Sequence, residues 1–232
     1  MTAFELIGGR RTALRLVIFD CDGVIVDSEP VSNRIIAEDL TANGWPMRTD
    51  EATRRFLGMS LQDMQPIIEE RLGQPLRADW CEQVTARIVR ALAAEAMPIA
   101  GAVEALRALT GMGVPWRVAS NSSHAEMRAK FARLGIGDLV EGRVHSHTDV
   151  ARGKPAPDLF LAAAAAQGVA PAECLVIEDS VPGVRAAVAA GMDCLGYAPR
   201  SDGAALRIAG AATFHSMADL PLLIEAARRR AA

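Results

Sequence analysis

The chain has 232 residues, half of them apolar, and a formal net charge of −3. That length suits one large domain, or a core with a smaller insert, and the apolar share is ample for a core. The charge balance offers no basic footprint for nucleic acid, no basic amphipathic helix marks a membrane surface, and no stretch approaches the ~20 apolar residues of a membrane span.

The first predicted element is the strand "LRLVIFD" (14–20). The basic "GRRTALR" leading into it resembles an export signal only faintly. The apolar run is short, is interrupted by Arg15 and feeds straight into Asp20, so a signal is rejected. Next come about a hundred residues before the second sheet-like run, and 31–96 show no strand pattern. They carry helical patterns instead, in "SNRIIAEDLTANG", "LQDMQPIIEERLG" and "DWCEQVTARIVRALAAEA". A βα unit needs only a few tens of residues, so the excess predicts a helical insert. After it, strands "WRVAS" (116–120), "GRVHS" (142–146), "CLVIED" (174–179) and "DCLGYA" (193–198) alternate with helical segments, and "ATFHS" (212–216) adds a short sixth. Three of those helices stop at Gly135, Gly168 and Gly191. The alternation predicts an α/β fold: a doubly wound, Rossmann-like parallel sheet formed by 1–30 and 97–232, with 31–96 as an inserted helical subdomain. The four cysteines lack C-x-x-C pairing and close Cys/His spacing, which predicts reduced thiols in a cytoplasmic protein.

Polar groups gather where these strands end: Asp20 and Asp22, Ser120-Asn121-Ser122, Glu178 and Asp179, with Lys154 after the "GRVHS" strand. In a parallel sheet those ends share one edge. Four carboxylates crowded there would retain protons at neutral pH unless a cation offset them. Oxygen ligands without clustered His or Cys suit a hard ion, Mg²⁺ being the usual partner of carboxylates and a phosphate. Ser123 and Glu126 have capping-box spacing, so a helix N-terminus also faces that edge.

Taken in order, "DCDGVIVDSE", "VASNSS", "GKPAPD" and "VIEDSVPG" resemble the four motifs of the haloacid dehalogenase-like hydrolase superfamily, in its subgroup with a helical cap. The resemblance covers nearly the whole chain from Leu14. It implies that Asp20 is the nucleophile and forms an aspartyl phosphate, and that Asp22 is the general acid/base. It implies further that Asp20, the Asp22 backbone carbonyl, Glu178 and Asp179 hold Mg²⁺, while Ser120 and Lys154 hold phosphoryl oxygens. Asn121 and Gly23 would line the phosphate, and Gly58, Met59 and Ser60 resemble the cap loop over the substrate.

The expected reaction is phosphatase hydrolysis of a small phosphorylated metabolite, a sugar or sugar-acid phosphate. The dehalogenase branch lacks the second aspartate. Beta-phosphoglucomutase relatives have a histidine and a basic residue where Ser32 and Leu61 stand, and both departures count against a phosphomutase, which is kept as the alternative; a non-catalytic phosphate-binding module is a remote one. The expected assembly is a monomer or weak homodimer, without nucleic acid or membrane. Several residues invite blander readings. Cys21 is a small packed residue, His145 and His147 lie on a strand end, and His124 either faces the leaving group or is solvated at its helix start. Arg54 and Arg55 are candidate anion contacts, with solvated surface the favoured reading in so arginine-rich a chain. Of 25 basic residues only Lys130 and Lys154 are lysines; Lys130 is read as a solvated helix-face residue.

Overall fold

The protein is described here by a computed structural model covering residues 12–56 and 59–229. Gly58 of the expected cap loop, and the Arg10–Arg11 pair of the rejected export signal, lie outside the described residues. Six strands form one parallel sheet: β1 (Leu16–Phe19), β4 (Trp116–Ser120), β5 (Val144–Ser146), β6 (Cys174–Glu178), β7 (Asp193–Tyr197) and β8 (Ala212–Phe214), in the spatial order β5-β4-β1-β6-β7-β8. All six predicted strands are present; β4 has the predicted bounds and the other five are shorter than predicted.

β1 is central because both its faces are apolar. Val17 and Phe19 enter one core cluster with Trp116, Met127 and Phe131, while Leu16 and Ile18 enter the other with Phe160 and Ala163. This two-residue alternation with no polar face is what a strand covered by helices on both sides requires. Phe19 pairs with Val118 of β4 and Ile177 of β6, so the carboxyl ends of these three strands lie side by side. The chain leaves β1 toward β4 and β5 and returns on the other flank through β6 to β8, which places the order reversal at β1.

Four helices occupy the predicted insert: α1 (Glu29–Ala42), α2 (Thr49–Arg55), α3 (Leu61–Leu72) and α4 (Trp80–Glu95). They bury a cluster of their own, with Leu40, Trp45, Phe56, Ile68, Trp80 and Val84 at its heart. Truncating a residue such as Ile68 to alanine costs about 2–5 kcal/mol in such surroundings. α2 was not predicted from the sequence, because "TDEATRR" carries only one buried residue, Ala52. Also unpredicted is a two-residue antiparallel ladder of β2 (Val26–Asp27) with β3 (Met97–Pro98), which lays the two crossings into and out of the helical segment next to each other. The remaining helices flank the sheet: α5 (Ala102–Gly111), α6 (His124–Arg133), α7 (Gly137–Val140), α8 (Asp158–Gln167), α9 (Val181–Ala189), α10 (Ala204–Ala209) and α11 (Leu220–Arg229). No helix among the described residues is long and apolar enough to cross a membrane.

Candidate active site

Beyond Phe19 the chain stays in the sheet for one more bond, Asp20 N–H to the Ile177 carbonyl at 2.9 Å, and then turns tightly. Gly23 N–H donates to the Val26 carbonyl at 2.8 Å, and both Ile25 and Val26 N–H donate to the Cys21 carbonyl. Gly23 has φ +75°, and a Cβ there would come within 1.9 Å of Asp179 Oδ2. Glycine is therefore required twice over, for its dihedral and for the close approach of a carboxylate. What lies against Gly23 in this structure is Asp179.

On one side of this turn stand Asp20, Glu178, Asp179 and Lys154. The Lys154 ammonium sits 2.6 Å from Asp20 Oδ1 and 2.7 Å from Glu178 Oε1, and 4.7 Å from the centre of the Phe160 ring. Glu178 Oε2 accepts from the Asp179 and Ser180 N–H groups and the Ser180 hydroxyl, at 2.8–2.9 Å. A Cβ on Gly183 would fall 1.7 Å from Glu178 Oε1, so the start of α9 is shaped around that carboxylate. Among the described residues, Asp20 Oδ2 and both Asp179 oxygens accept no hydrogen bond. Burial pushes the Asp20 carboxyl up to about 7 against the pull of Lys154, with Glu178 and Asp22 adding to the rise. Asp179 is pushed well above its ordinary range by burial, then by Glu178 and Asp20.

The other side holds Asp22, and here the sequence reading of Lys130 is overturned. Lys130 is buried, its side chain 3% exposed, with its ammonium 2.6 and 2.8 Å from the two Asp22 oxygens and 2.9 Å from Ser122 Oγ. Helical side chains lean toward the helix N-terminus, so the lysine stem reaches from the middle of α6 back to the strand edge. Ser122 Oγ donates to Asp22 Oδ2 at 2.7 Å, and the buried Ser28 hydroxyl donates to Asp22 Oδ1. Burial raises the Asp22 carboxyl, but Lys130 and the hydrogen bonds from Lys130, Ser28 and Ser122 together outweigh it and hold the group below its ordinary value. Sequence reading missed Ser28 and Lys130, and placed Ser122 at the strand edge without giving it this partner. A signal for Lys130 existed: it lies three residues after Met127 and one before Phe131, on the buried stripe of α6.

The other expected residues divide. Ser120 is buried at the end of β4, its hydroxyl accepting Ser122 N–H at 3.0 Å. Asn121 clamps the backbone of Lys154, donating to its carbonyl at 3.1 Å and accepting from its N–H at 2.9 Å. Ser123 and Glu126 form the expected capping box, and Cys21 is fully buried. Ser60 is exposed and caps α3, accepting from Asp63 N–H and donating to the Asp63 carboxylate. His124 pairs with Asp149 at 2.8 Å and His145 lies 3.1 Å from Arg117. Arg54 pairs with Asp50, and Arg55 stacks 4.8 Å over the Trp45 ring.

The acid cluster suits a divalent cation. Asp20, Glu178 and Asp179 each offer an oxygen within 4.8 Å of the others, and among the described residues Lys154 is the only cation paired with any of them. The set is all oxygen, which selects a hard ion such as Mg²⁺. The raised Asp20 and Asp179 carboxyls reflect burial first and then the crowding of neighbouring carboxylates, which a bound cation would offset.

Residues 14–191 match the haloacid dehalogenase-like hydrolase family. The chain is 29% identical to 6-phosphogluconate phosphatase of Escherichia coli, over 92% of this chain and 96% of that one. With fructose-1-phosphate phosphatase of the same organism it shares 32% identity, over 77% and 94% of the two chains. A haloacid dehalogenase-like protein of unknown function from Agrobacterium tumefaciens superposes with a TM-score of 0.80 at 34% identity, covering 92% of this chain and 99% of that one. With its four motifs brought to one sheet edge, the chain belongs to the haloacid dehalogenase-like hydrolases, and within them to the phosphatases.

Proposed function

We propose that this phosphatase hydrolyses a small phosphate monoester, a sugar or sugar-acid phosphate, through an aspartyl phosphate on Asp20, with Mg²⁺ as its cofactor. The observation that carries the reading is the state of the Asp20 carboxylate. Lys154 fixes one oxygen at 2.6 Å, and the other accepts nothing among the described residues and is free to attack phosphorus. Asp20 Oδ2 forms the new bond to phosphorus as the ester oxygen departs with a proton from Asp22. Asp22, again ionised, then takes a proton from water, whose oxygen attacks the same phosphorus and releases Asp20 and inorganic phosphate. An incoming phosphate raises the proton affinity of the nearby Asp22, since like charge favours the neutral form. Lys154 and Ser120 orient the phosphoryl oxygens. Asp20, Asp179, Glu178 and the Asp22 carbonyl are the groups to hold Mg²⁺, which when bound offsets carboxylate and phosphoryl charge.

The choice of ester draws on the two sugar-phosphate phosphatases that the chain resembles. Residues 31–96 act in this reading as the cap that sets specificity over a core gripping only the phosphate. The test is a panel of sugar and sugar-acid phosphates with Mg²⁺, followed by acid quench and peptide mass analysis. A phosphoryl adduct on the peptide holding Asp20, removable by hydroxylamine, is expected. Isomerisation of a sugar 1-phosphate given a bisphosphate activator, without net phosphate release, would overturn the hydrolase reading.

A further inference from the structure

We propose that Lys130 is a positioning residue for proton transfer, acting through Asp22; this rests on Asp22 being the general acid/base. Three observations carry it. First, an ammonium has three N–H donors, and Lys130 directs its three side-chain bonds to this one cluster: Asp22 Oδ1, Asp22 Oδ2 and Ser122 Oγ. Second, the chain uses arginine for every cation but two, and both lysines are buried against the two aspartates of "DCD". A compact ammonium fits where a planar guanidinium would not. Third, Asp22 lies on the turn after β1 and Lys130 on α6, 108 residues further on, so their contact locks the carboxylate to an element outside its own loop.

Without Lys130 the Asp22 carboxylate would keep only the hydroxyls of Ser28 and Ser122, which rotate and serve as donor or acceptor alike. Its orientation toward the leaving oxygen would then be one of several. Proton transfer depends on that orientation, whereas attack by Asp20 does not. Loss of Lys130 therefore slows the first phosphoryl transfer for esters whose leaving group needs a proton and spares that step for those whose leaving group does not.

Leaving-group dependence tests this. For Lys130→Met, kcat/KM is measured with p-nitrophenyl phosphate, whose leaving group departs as a stable anion, and with phenyl phosphate, whose phenolate is far more basic. Both are read on one preparation, so their ratio is independent of how much of the variant is folded. The expected result is a loss of about tenfold or more for phenyl phosphate beyond that for p-nitrophenyl phosphate. Asp22→Asn should shift the ratio in the same direction, and the double variant should match Asp22→Asn alone. Lys130→Gln, which keeps a donor, should recover part of the ratio. An unchanged ratio for Lys130→Met beside a shifted one for Asp22→Asn overturns the role of Lys130. No shift for Asp22→Asn overturns the acid/base reading itself, and the proposal with it.

Discussion

Around Lys154 two carboxylates share one ammonium with a third, Asp179, close by, whereas around Lys130 one carboxylate has an ammonium and two hydroxyls to itself. Asp20 and Asp22 are two residues apart, yet burial without balance lifts the first to about 7, and burial with balance leaves the second below its ordinary value. Proximity in sequence therefore says little about charge state. The neighbours contributed by β4, α6, α9 and the Lys154 loop decide it. The unbalanced corner suits a cation and a phosphoryl group; the balanced one suits a carboxylate that must meet a single proton.

The sharpest break in this comparison is Asp20→Asn. An amide cannot form the acyl phosphate, so kcat/KM should fall at least about 10⁴-fold, measured as phosphate release in Mg²⁺. Asp22→Asn should cost less, roughly 10²–10⁴-fold on an ester with a basic leaving group, since it removes proton transfer and leaves the nucleophile. Activity of Asp20→Asn equal to that of Asp22→Asn would erase the distinction between the corners. Lys154→Arg comes next, at about tenfold or more in kcat/KM, or about 1.4 kcal/mol, because a guanidinium crowds both Asp20 and Glu178. A wild-type rate for this variant would show that the ammonium site tolerates a planar fork.

The smallest effect is on stability against pH. A carboxyl raised above its unfolded value of 3.8, such as Asp20, stabilises the fold fully below pH 3.8, and that contribution is lost as pH rises through about 7. Asp22, lowered, works the other way: its contribution is present above 3.8 and fades as pH falls below that. In EDTA this contribution should therefore drain from the Tm between about pH 4 and 7, by about 2–4 °C for each kcal/mol lost. Mg²⁺ should flatten this slope by holding Asp20 and Asp179 ionised. A slope of equal size with and without Mg²⁺ would detach the acid cluster from the ion.

Much of the sheet was legible in the sequence. β1 and the Cys174–Ile177 part of β6 are buried on both faces and thus continuous apolar runs, and Asp20, Glu178 and Asp179 stand at their carboxyl ends. Lys130 was not legible as a site residue, although it lies on the Met127–Phe131 stripe, because nothing near it in the chain shows that Asp22 waits at the end of its stem. Ser28 was hidden likewise, its role set by a turn that folds Asp22 back toward it. β2 and β3 escaped because two residues carry no periodicity. In the helical segment the long amphipathic helices were readable, whereas α2, with a single buried residue, was not.

The placement of the two lysines also decides what the folded molecule offers to reagents. Their side chains are 3% and 4% exposed, and each ammonium is held protonated by the carboxylates around it. Acylating agents need an accessible, unprotonated amine, so neither lysine is a handle for them while the fold is closed. Every exposed side-chain cation is a guanidinium, inert to the same chemistry. Labelling at Lys130 or Lys154 would thus act as a clock on local opening, each site timing the release of a different half of the acidic strand edge.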